Sequence, residues 1–259
     1  PCCFARGRGA RMIDISSVSF SFGGTPTLSD VAFKAPDGAI TALIGPNGSG
    51  KSTLLRLMAR LLPAQGDLRI DGRPLSAFTQ KELARSVAFL PQSRAVPAIS
   101  VSSLVAHGRF PYLGFSRVRS RKDDEAVARA LALTGLTDYA GRDLRTLSGG
   151  ERQKAYLAML IAQDTKNLLL DEPTTYLDIG HQLELMHILR GLRDEGRCLV
   201  VVLHDIAQAL SLCDRVVLLW DGRAAFAGAP ADEGVLPAVE RAFGVRAARR
   251  EGLVFGRRE

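Results

Sequence analysis

One unbroken run, Gly45-Pro46-Asn47-Gly48-Ser49-Gly50-Lys51-Ser52, sets glycines, a lysine and a hydroxyl at the spacing G-x-x-x-x-G-K-[ST]. Residues of these types in this order suit a phosphate chain. Gly45, Gly48 and Gly50 let the backbone curl so that successive N–H groups point inward at a dense negative charge. A helix starting at the end of the run adds its partial positive charge. Lys51 is then expected to bridge the β- and γ-phosphates of a nucleoside triphosphate, and the Ser52 hydroxyl to ligate Mg²⁺. A second set of chemical groups closes an apolar run, Leu168-Leu169-Leu170-Asp171-Glu172. Asp171, just past the strand end, is expected to hold Mg²⁺ through water, and Glu172 to act as general base on the attacking water. A third stretch, Leu147-Ser148-Gly149-Gly150-Glu151-Arg152-Gln153, opens a helix. Ser148 reads as its N-cap and Glu151 as the capping-box partner, which is a full structural account. The same hydroxyl and glycine N–H groups could instead grip an anion, and spacing leaves both readings open.

These groups need a frame that brings distant segments together. Ile40 to Ile44 reads as a buried strand feeding the glycine run. Ser52 to Leu62 reads as the helix after it, with Leu54, Leu55, Leu57, Met58, Leu61 and Leu62 at helical spacing and Pro63 as the stop. Upstream, Met12 to Phe22 alternates apolar and polar residues, Gly23-Gly24 turns the chain, and Leu28 to Ala35 forms a second strand. Leu68 to Ile70 and Val87 to Leu90 are further strands, the latter running into Pro91-Gln92. From about 93 to 161 strand signals vanish. Val101 to Arg109, Asp123 to Thr134 and Gly149 to Gln163 read as helices, with an aromatic loop from Phe110 to Phe115 after the first. Strand and helix then alternate: strands at Leu168 to Leu170 and Cys198 to Leu203, helices at Gln182 to Glu195 and Ile206 to Cys213. Val216 to Trp220 and Arg223 to Phe226 form a hairpin through Asp221-Gly222. The fold class is α/β: a P-loop core with an antiparallel β subdomain and a helical insertion. The expected organisation is a disordered extension over 1–11, one domain over 12–230 with the insertion at about 93–161, and a C-terminal extension over 231–259 with a short helix at Leu236 to Phe243.

Composition sets wider bounds. With 259 residues, 46% hydrophobic and 24% charged, the chain has the balance of a soluble globular protein with a sizeable core. No apolar stretch approaches the ~20 residues that cross a bilayer, and the basic start lacks the apolar run of a secretory signal, so a cytoplasmic location is expected. The formal charge of +7 owes much to arginines in the two tails. It suits nucleic acid, an anionic surface or simple solubility. The basic ends do not interleave with an aromatic platform, which argues against nucleic acid. Cys198 and Cys213 sit in apolar runs and read as small core residues; Cys2 and Cys3 make no C-x-x-C pair. The thiols suit a reducing compartment.

The glycine run, Leu-Ser-Gly-Gly-Glu-Arg-Gln and Leu-Leu-Asp-Glu-Pro occur in that order, and the chain from about Ile13 to Pro230 resembles the ATP-binding subunit of an ABC transporter. The resemblance implies ATP and Mg²⁺ as ligands. It implies nucleotide contacts from Gly45, Pro46, Asn47, Gly48, Ser49, Gly50, Lys51, Ser52 and Thr53, with metal contacts from Ser52, Gln92 and Asp171. It makes Glu172, Gln92 and His204 the catalytic set, with Gln92 sensing metal and water and His204 touching the γ-phosphate. It assigns Ser148, Gly149, Gly150 and Glu151 to the nucleotide held by a partner subunit, and Asp178, after Tyr176-Leu177, to a crossing between subunits. Phe22 falls near the aromatic that stacks on adenine, where Phe in place of the usual Tyr keeps the stacking and loses a hydroxyl. The resemblance further implies a homodimer, two separate permease subunits, an indirect link to a substrate-binding protein, and a place on the cytoplasmic face of the inner membrane.

Pro173-Thr174-Thr175-Tyr176-Leu177-Asp178-Ile179 and His107-Gly108-Arg109-Phe110-Pro111-Tyr112-Leu113-Gly114 are similar to the importer subfamily for iron–siderophores, haem and cobalamin, closest to its siderophore branch. Haem or cobalamin import is the alternative cargo. A soluble ATPase of cluster assembly is the alternative class; a single cassette without a long coiled coil sets aside ribosomal and chromosome-handling relatives. A module that binds nucleotide without hydrolysis conflicts with the presence of Glu172. His107, His181 and His187 are not expected to be metal ligands, and the latter two read as residues of a solvated helix face.

Overall fold

The computed structural model describes residues 12–114, 118–175, 177–249 and 253–257. The N-terminal stretch 1–11, Phe115 and Tyr176 lie outside these. Strands β1 (Met12–Phe22), β2 (Thr25–Pro36) and β3 (Ala39–Ile44) lead to helix α1 (Lys51–Met58). Then come β4 (Gln65–Ile70), β5 (Arg73–Pro74), α2 (Gln80–Ser86) and β6 (Val87–Leu90). Three helices follow: α3 (Val101–His107), α4 (Arg121–Leu133) and α5 (Gly149–Ala162). The chain continues through β7 (Asn167–Leu170), α6 (Ile179–Asp194), β8 (Cys198–Val202), α7 (Ile206–Leu212), β9 (Arg215–Trp220) and β10 (Arg223–Gly228). It closes with α8 (Val235–Phe243) and a hairpin of β11 (Val245–Arg249) and β12 (Leu253–Arg257).

One sheet has the order β10-β9-β3-β8-β7-β6. From β9 to β6 its strands are parallel, and β10 pairs antiparallel with β9. After β3 the chain jumps to the far edge at β6, returns through β7 and β8, and passes β3 to lay β9 on its other side. The strand order therefore reverses at β3, and ligands of such sheets sit beyond the carboxyl ends of the strands at that point. Every residue of β3, β7 and β8 is buried, because both faces of the sheet are covered. Ile40, Ala42, Ile44, Leu168, Leu170, Leu199 and Val201 meet a helical layer on one face. Leu43, Leu169, Val200 and Val202 meet α1 and a second, antiparallel sheet, β2-β1-β4-β5, on the other. The period-two alternation of each strand splits the core into these two clusters.

Several boundaries differ from the sequence expectation. Helix α1 ends at Met58, short of Leu62. Arg60 turns left-handed at φ 54, and its guanidinium donates to the carbonyls of Leu75 and Phe78, so a tertiary tie ends the helix before Pro63. Helix α2 was not expected; its signal is the capping box of Thr79 and Glu82, on a segment too short for apolar periodicity. Helix α6 starts at Ile179, ahead of Gln182, because Asp178 caps it by accepting from the His181 N–H at 2.8 Å. Residues 231–259 were expected as an extension, yet Val235, Ala238 and Val239 of α8 are buried in the same cluster as β3 and β9.

The insertion α3–α5 is locked by one shielded ion pair. Arg109 Nε donates to Asp123 Oδ1 at 2.9 Å with both side chains under a tenth exposed. Arg109 Nη1 donates to the Ala162 carbonyl at 2.8 Å, and the guanidinium lies 3.9 Å from the Tyr112 ring centroid. Bonds from the Ser120 hydroxyl, the Ser120 N–H and Arg109 outweigh burial and hold the Asp123 carboxyl down at about 2. A depressed carboxylate stabilises the fold above its unfolded value of ~3.9 and loses that contribution as pH falls through its folded value. Arg109→Ala strands a buried charge and is expected to cost about 3–5 kcal/mol in urea unfolding at neutral pH. The deficit should shrink as pH drops from ~4 towards about 2; a deficit constant across that window would exclude the ion pair as its source.

Candidate active site

The site lies beyond the carboxyl ends of β3, β6, β7 and β8. The loop after β3 is tight. A Cβ on Gly45 would lie 2.1 Å from the Leu219 carbonyl oxygen of β9, and φ there is +150°, so only glycine lets the loop pass β9. Gly50 caps α1 in a left-handed conformation with no side-chain cap bond, which leaves the first N–H groups of the helix available to an anion. Thr27, Asn47, Gly48, Gly50, Lys51, Ser52, Thr53 and Glu172 line a cavity of about 310 Å³. A wider cleft of about 810 Å³ shares Thr27, Asn47 and Gly48 with it and runs from Thr25 to Trp220 and Arg223. Phe22, at the tip of β1, is exposed and stands edge-on to Phe20 with ring centroids 4.7 Å apart. It lines neither cavity, though its paired residue Thr25 lines the wider one.

Lys51 is buried, with Nζ donating to the carbonyls of Gly45 and Pro46 at 2.8 Å each. Burial lowers its affinity for the proton, against the pull of Glu172 and Asp171. Ser52 Oγ donates to Asp171 Oδ1 at 2.9 Å. Burial pushes the Asp171 carboxyl up, the Ser52 bond opposes this, and the charge of Glu172 adds to the rise. Glu172 is held from three sides. Gln92 Nε2 and Thr175 Oγ1 donate to its Oε2, the latter at 3.1 Å, and His204 Nε2 lies 2.6 Å from its Oε1. Glu172 itself has φ 51, a conformation that costs a non-glycine residue roughly 1–2 kcal/mol and here turns its carboxylate into the site. Ser52 Oγ, Asp171 and the Gln92 carbonyl are oxygen donors of the kind that Mg²⁺ prefers. The Ser52–Asp171 pair and the buried, proton-avid Asp171 fit a cation at that position.

The structure thus gathers Lys51, Ser52, Asp171, Glu172, Gln92 and His204. It does not bring Ser148, Gly149, Gly150, Glu151 or Asp178 to the phosphate cavity. Ser148 and Glu151 form a complete capping box on α5, with Ser148 N and Oγ each 2.8 Å from Glu151 Oε2. Asp178 faces His181, whose Nδ1 lies 2.9 Å from each carboxylate oxygen. His181 keeps the partly solvated position that its helix suggested, and its ring is in addition paired with Asp178. Thr175 was missed as well; its only signal was a hydroxyl three residues after a strand-end carboxylate.

The chain is similar to known proteins over most of its length. The ABC transporter family profile matches residues 28–175. The ferric enterobactin transport ATP-binding protein FepC of Escherichia coli is 42% identical over 233 residues, covering 88% of this chain and 86% of the relative. The petrobactin import ATP-binding protein FpuD of Bacillus anthracis is 43% identical over 223 residues, covering 85% and 82%. The hemin import ATP-binding protein HmuV of Streptomyces coelicolor is 44% identical over 212 residues, covering 81% and 75%. Among solved structures, an inward-facing putative metal-chelate type ABC transporter superposes with a TM-score of 0.81 at 25% identity, covering 95% of this chain and 97% of that one. The chain belongs to the ABC transporter family as one of its ATP-binding subunits, an ATPase that works with membrane permease partners.

Proposed function

We propose that this subunit hydrolyses ATP at two sites shared across a homodimer, on the cytoplasmic face of the inner membrane, and so powers import of ferric siderophores delivered by a substrate-binding protein to two permease subunits. The observation that carries the hydrolytic reading is Glu172, a strand-end carboxylate beside Lys51, Ser52 and Asp171 and held by Gln92, Thr175 and His204. Lys51 leaves the loop carbonyls for the phosphates. Glu172 takes a proton from water as the water oxygen bonds to the γ-phosphorus. The bond from that phosphorus to the bridging oxygen breaks, and its electron pair stays on ADP. His204 donates to the γ-phosphate. Ser52, Asp171 and the Gln92 carbonyl would hold Mg²⁺, which would supply charge neutralisation of the phosphates. The cleft from Thr25 to Arg223 leaves room for ribose and base, with Phe22 at its rim as the stacking aromatic. The exposed Phe110 beside α2, where Arg85 Nε donates to the Pro111 carbonyl at 3.0 Å, supports the aromatic turn as part of the permease-facing surface.

Trp220 is the single tryptophan and lines the wider cleft, so ATP is expected to change the intrinsic fluorescence. Lys51→Ala should abolish most of that response, and His204→Ala should keep it while losing turnover. A His204 variant that hydrolyses ATP at the wild-type rate would remove that residue from the mechanism.

Glu172→Gln keeps size and hydrogen-bonding shape but cannot take the proton. The variant is expected to run as a dimer on a sizing column with Mg-ATP and as a monomer with Mg-ADP, while wild type stays mostly monomeric in both. Adding Ser148→Arg should abolish the ATP-dependent dimer, and a double variant that still dimerises would refute the shared sites.

The siderophore cargo rests on the Pro173–Ile179 segment and on the likeness to FepC and FpuD. The likeness to HmuV favours haem as the second reading. A deletion strain is expected to lose uptake of labelled ferric siderophore under iron scarcity. Intact siderophore uptake with a defect in haem or cobalamin uptake would move the assignment.

A further inference from the structure

We propose that His181 is a positioning residue that joins the Ser148–Gly150 turn to Asp178, so that the two surfaces offered to a second chain are one rigid block. The inference deepens the shared-site reading and rests on it. Its first support is the hydrogen bond. A carboxylate only accepts, so with Asp178 Oδ1 and Oδ2 both 2.9 Å from Nδ1, that nitrogen carries a proton and the ring is held by its edge. The same carboxylate accepts from the His181 backbone N–H and caps α6, so the ring and the helix start are fixed by one group.

The second support is the glycine that the ring faces. A Cβ on Gly150 would lie 2.8 Å from Cδ2, 2.9 Å from Nε2 and 3.0 Å from Cγ of His181. All three of its nearest neighbours belong to that ring. Gly150 lies inside α5 and is not among the glycines with positive φ, so its backbone conformation is open to any residue. Within one chain, what excludes a side chain at Gly150 is the imidazole of His181.

The third support is that this contact begins a seam. One turn along each helix, Lys154 of α5 pairs with Glu184 of α6. Beside Lys154 on α5, Gln153 Nε2 donates to the Pro173 carbonyl, ahead of α6, at 2.6 Å. The N-terminal turns of α5 are therefore tied to the segment 173–184 at successive points, and His181 is the tie closest to the turn itself. With the ring removed, Gly149 and Gly150 keep their helix but lose the wall that sets the turn relative to Asp178.

The test compares Glu172→Gln with Glu172→Gln/His181→Ala, reading ATP binding by the single chain from Trp220 fluorescence and dimer formation by sedimentation in Mg-ATP. The expected result is ATP affinity within about twofold and dimerisation weakened about tenfold or more. His181→Phe, which keeps the ring against Gly150 but not the bond to Asp178, should fall between. A thermal-unfolding cycle on the monomer checks the contact: Gly150→Ala should lower the melting temperature with His181 present and raise it or leave it unchanged with His181→Ala. Equal dimerisation with and without His181 overturns the inference, and so does a parallel loss of ATP binding and dimerisation, which marks general damage. Failure of Glu172→Gln itself to dimerise removes the shared-site reading, and this inference with it.

Discussion

Buried charge is costly unless each charged group has a partner, and this site buries Lys51, Asp171 and Glu172 to 6%, 1% and 8% exposure. The partners come from the ends of different strands, so strand register sets the chemistry. Leu90 of β6 lies opposite Leu170 of β7, and Gln92 and Glu172, each two residues on, can then meet. Leu170 lies opposite Val201 of β8, which carries His204 to the other oxygen of Glu172. Two bonds continue this alignment past the strand ends: Asp171 N–H to the Leu90 carbonyl at 2.9 Å, and Leu203 N–H to the Leu43 carbonyl at 3.2 Å. A slip of one residue in either pairing would turn these side chains to the opposite face. Leu168-Leu169-Leu170 and Leu199-Val200-Val201 are apolar on both faces and do not fix the register by pattern; the polar strand ends do, with Asn167 Nδ2 donating to the Ser86 carbonyl at 3.0 Å at one end of β7 and the Asp171 N–H bond at the other.

Much of this was legible in the sequence because the signals are local. The glycine run, the apolar strands ending in Asp171 and Glu172, and the caps at Ser148 each state their role within a few residues. What was not legible depends on distance in the chain. Arg60 ends α1 through carbonyls of Leu75 and Phe78, which no pattern within the helix records. The α8 helix has an apolar face, but only the fold shows that the face joins the core of β3 and β9. Thr175 matters because Glu172 turns left-handed and presents Oε2 to its hydroxyl. His181 is partly exposed, as its helix position suggested, but its approach to Gly150 was not legible because a glycine has no side chain to announce a contact.

Ser148 shows how one cap leaves two roles compatible. Its hydroxyl and N–H are both used by Glu151, and this bond holds the Glu151 carboxyl below its ordinary range, the Ser148 N–H being the largest cause. The start of α5 is thereby organised without any ligand. The first N–H groups of the helix have no partner within it, so an anion arriving there would meet a helix end already ordered by its cap.

The clasp on Glu172 links this chemistry to the helical insertion. Gln92, Thr175 and His204 take three of the roughly four acceptor sites of the carboxylate, which leaves a place on Oε1 for a water. Thr175 belongs to the same short turn as Glu172, and His204, exposed at its side chain, follows the buried strand β8. Gln92 is exposed and stands on the segment between β6 and α3. Two residues further on, Arg94 Nη2 donates to Gln153 Oε1 of α5 at 2.9 Å, with its guanidinium 4.6 Å from the Tyr156 ring centroid. Arg94 and Gln92 thus lie on one segment that touches α5 at one end and Glu172 at the other. The same amide carries a carbonyl oxygen, a donor of the kind that Mg²⁺ prefers, so one side chain faces both Glu172 and the proposed cation position.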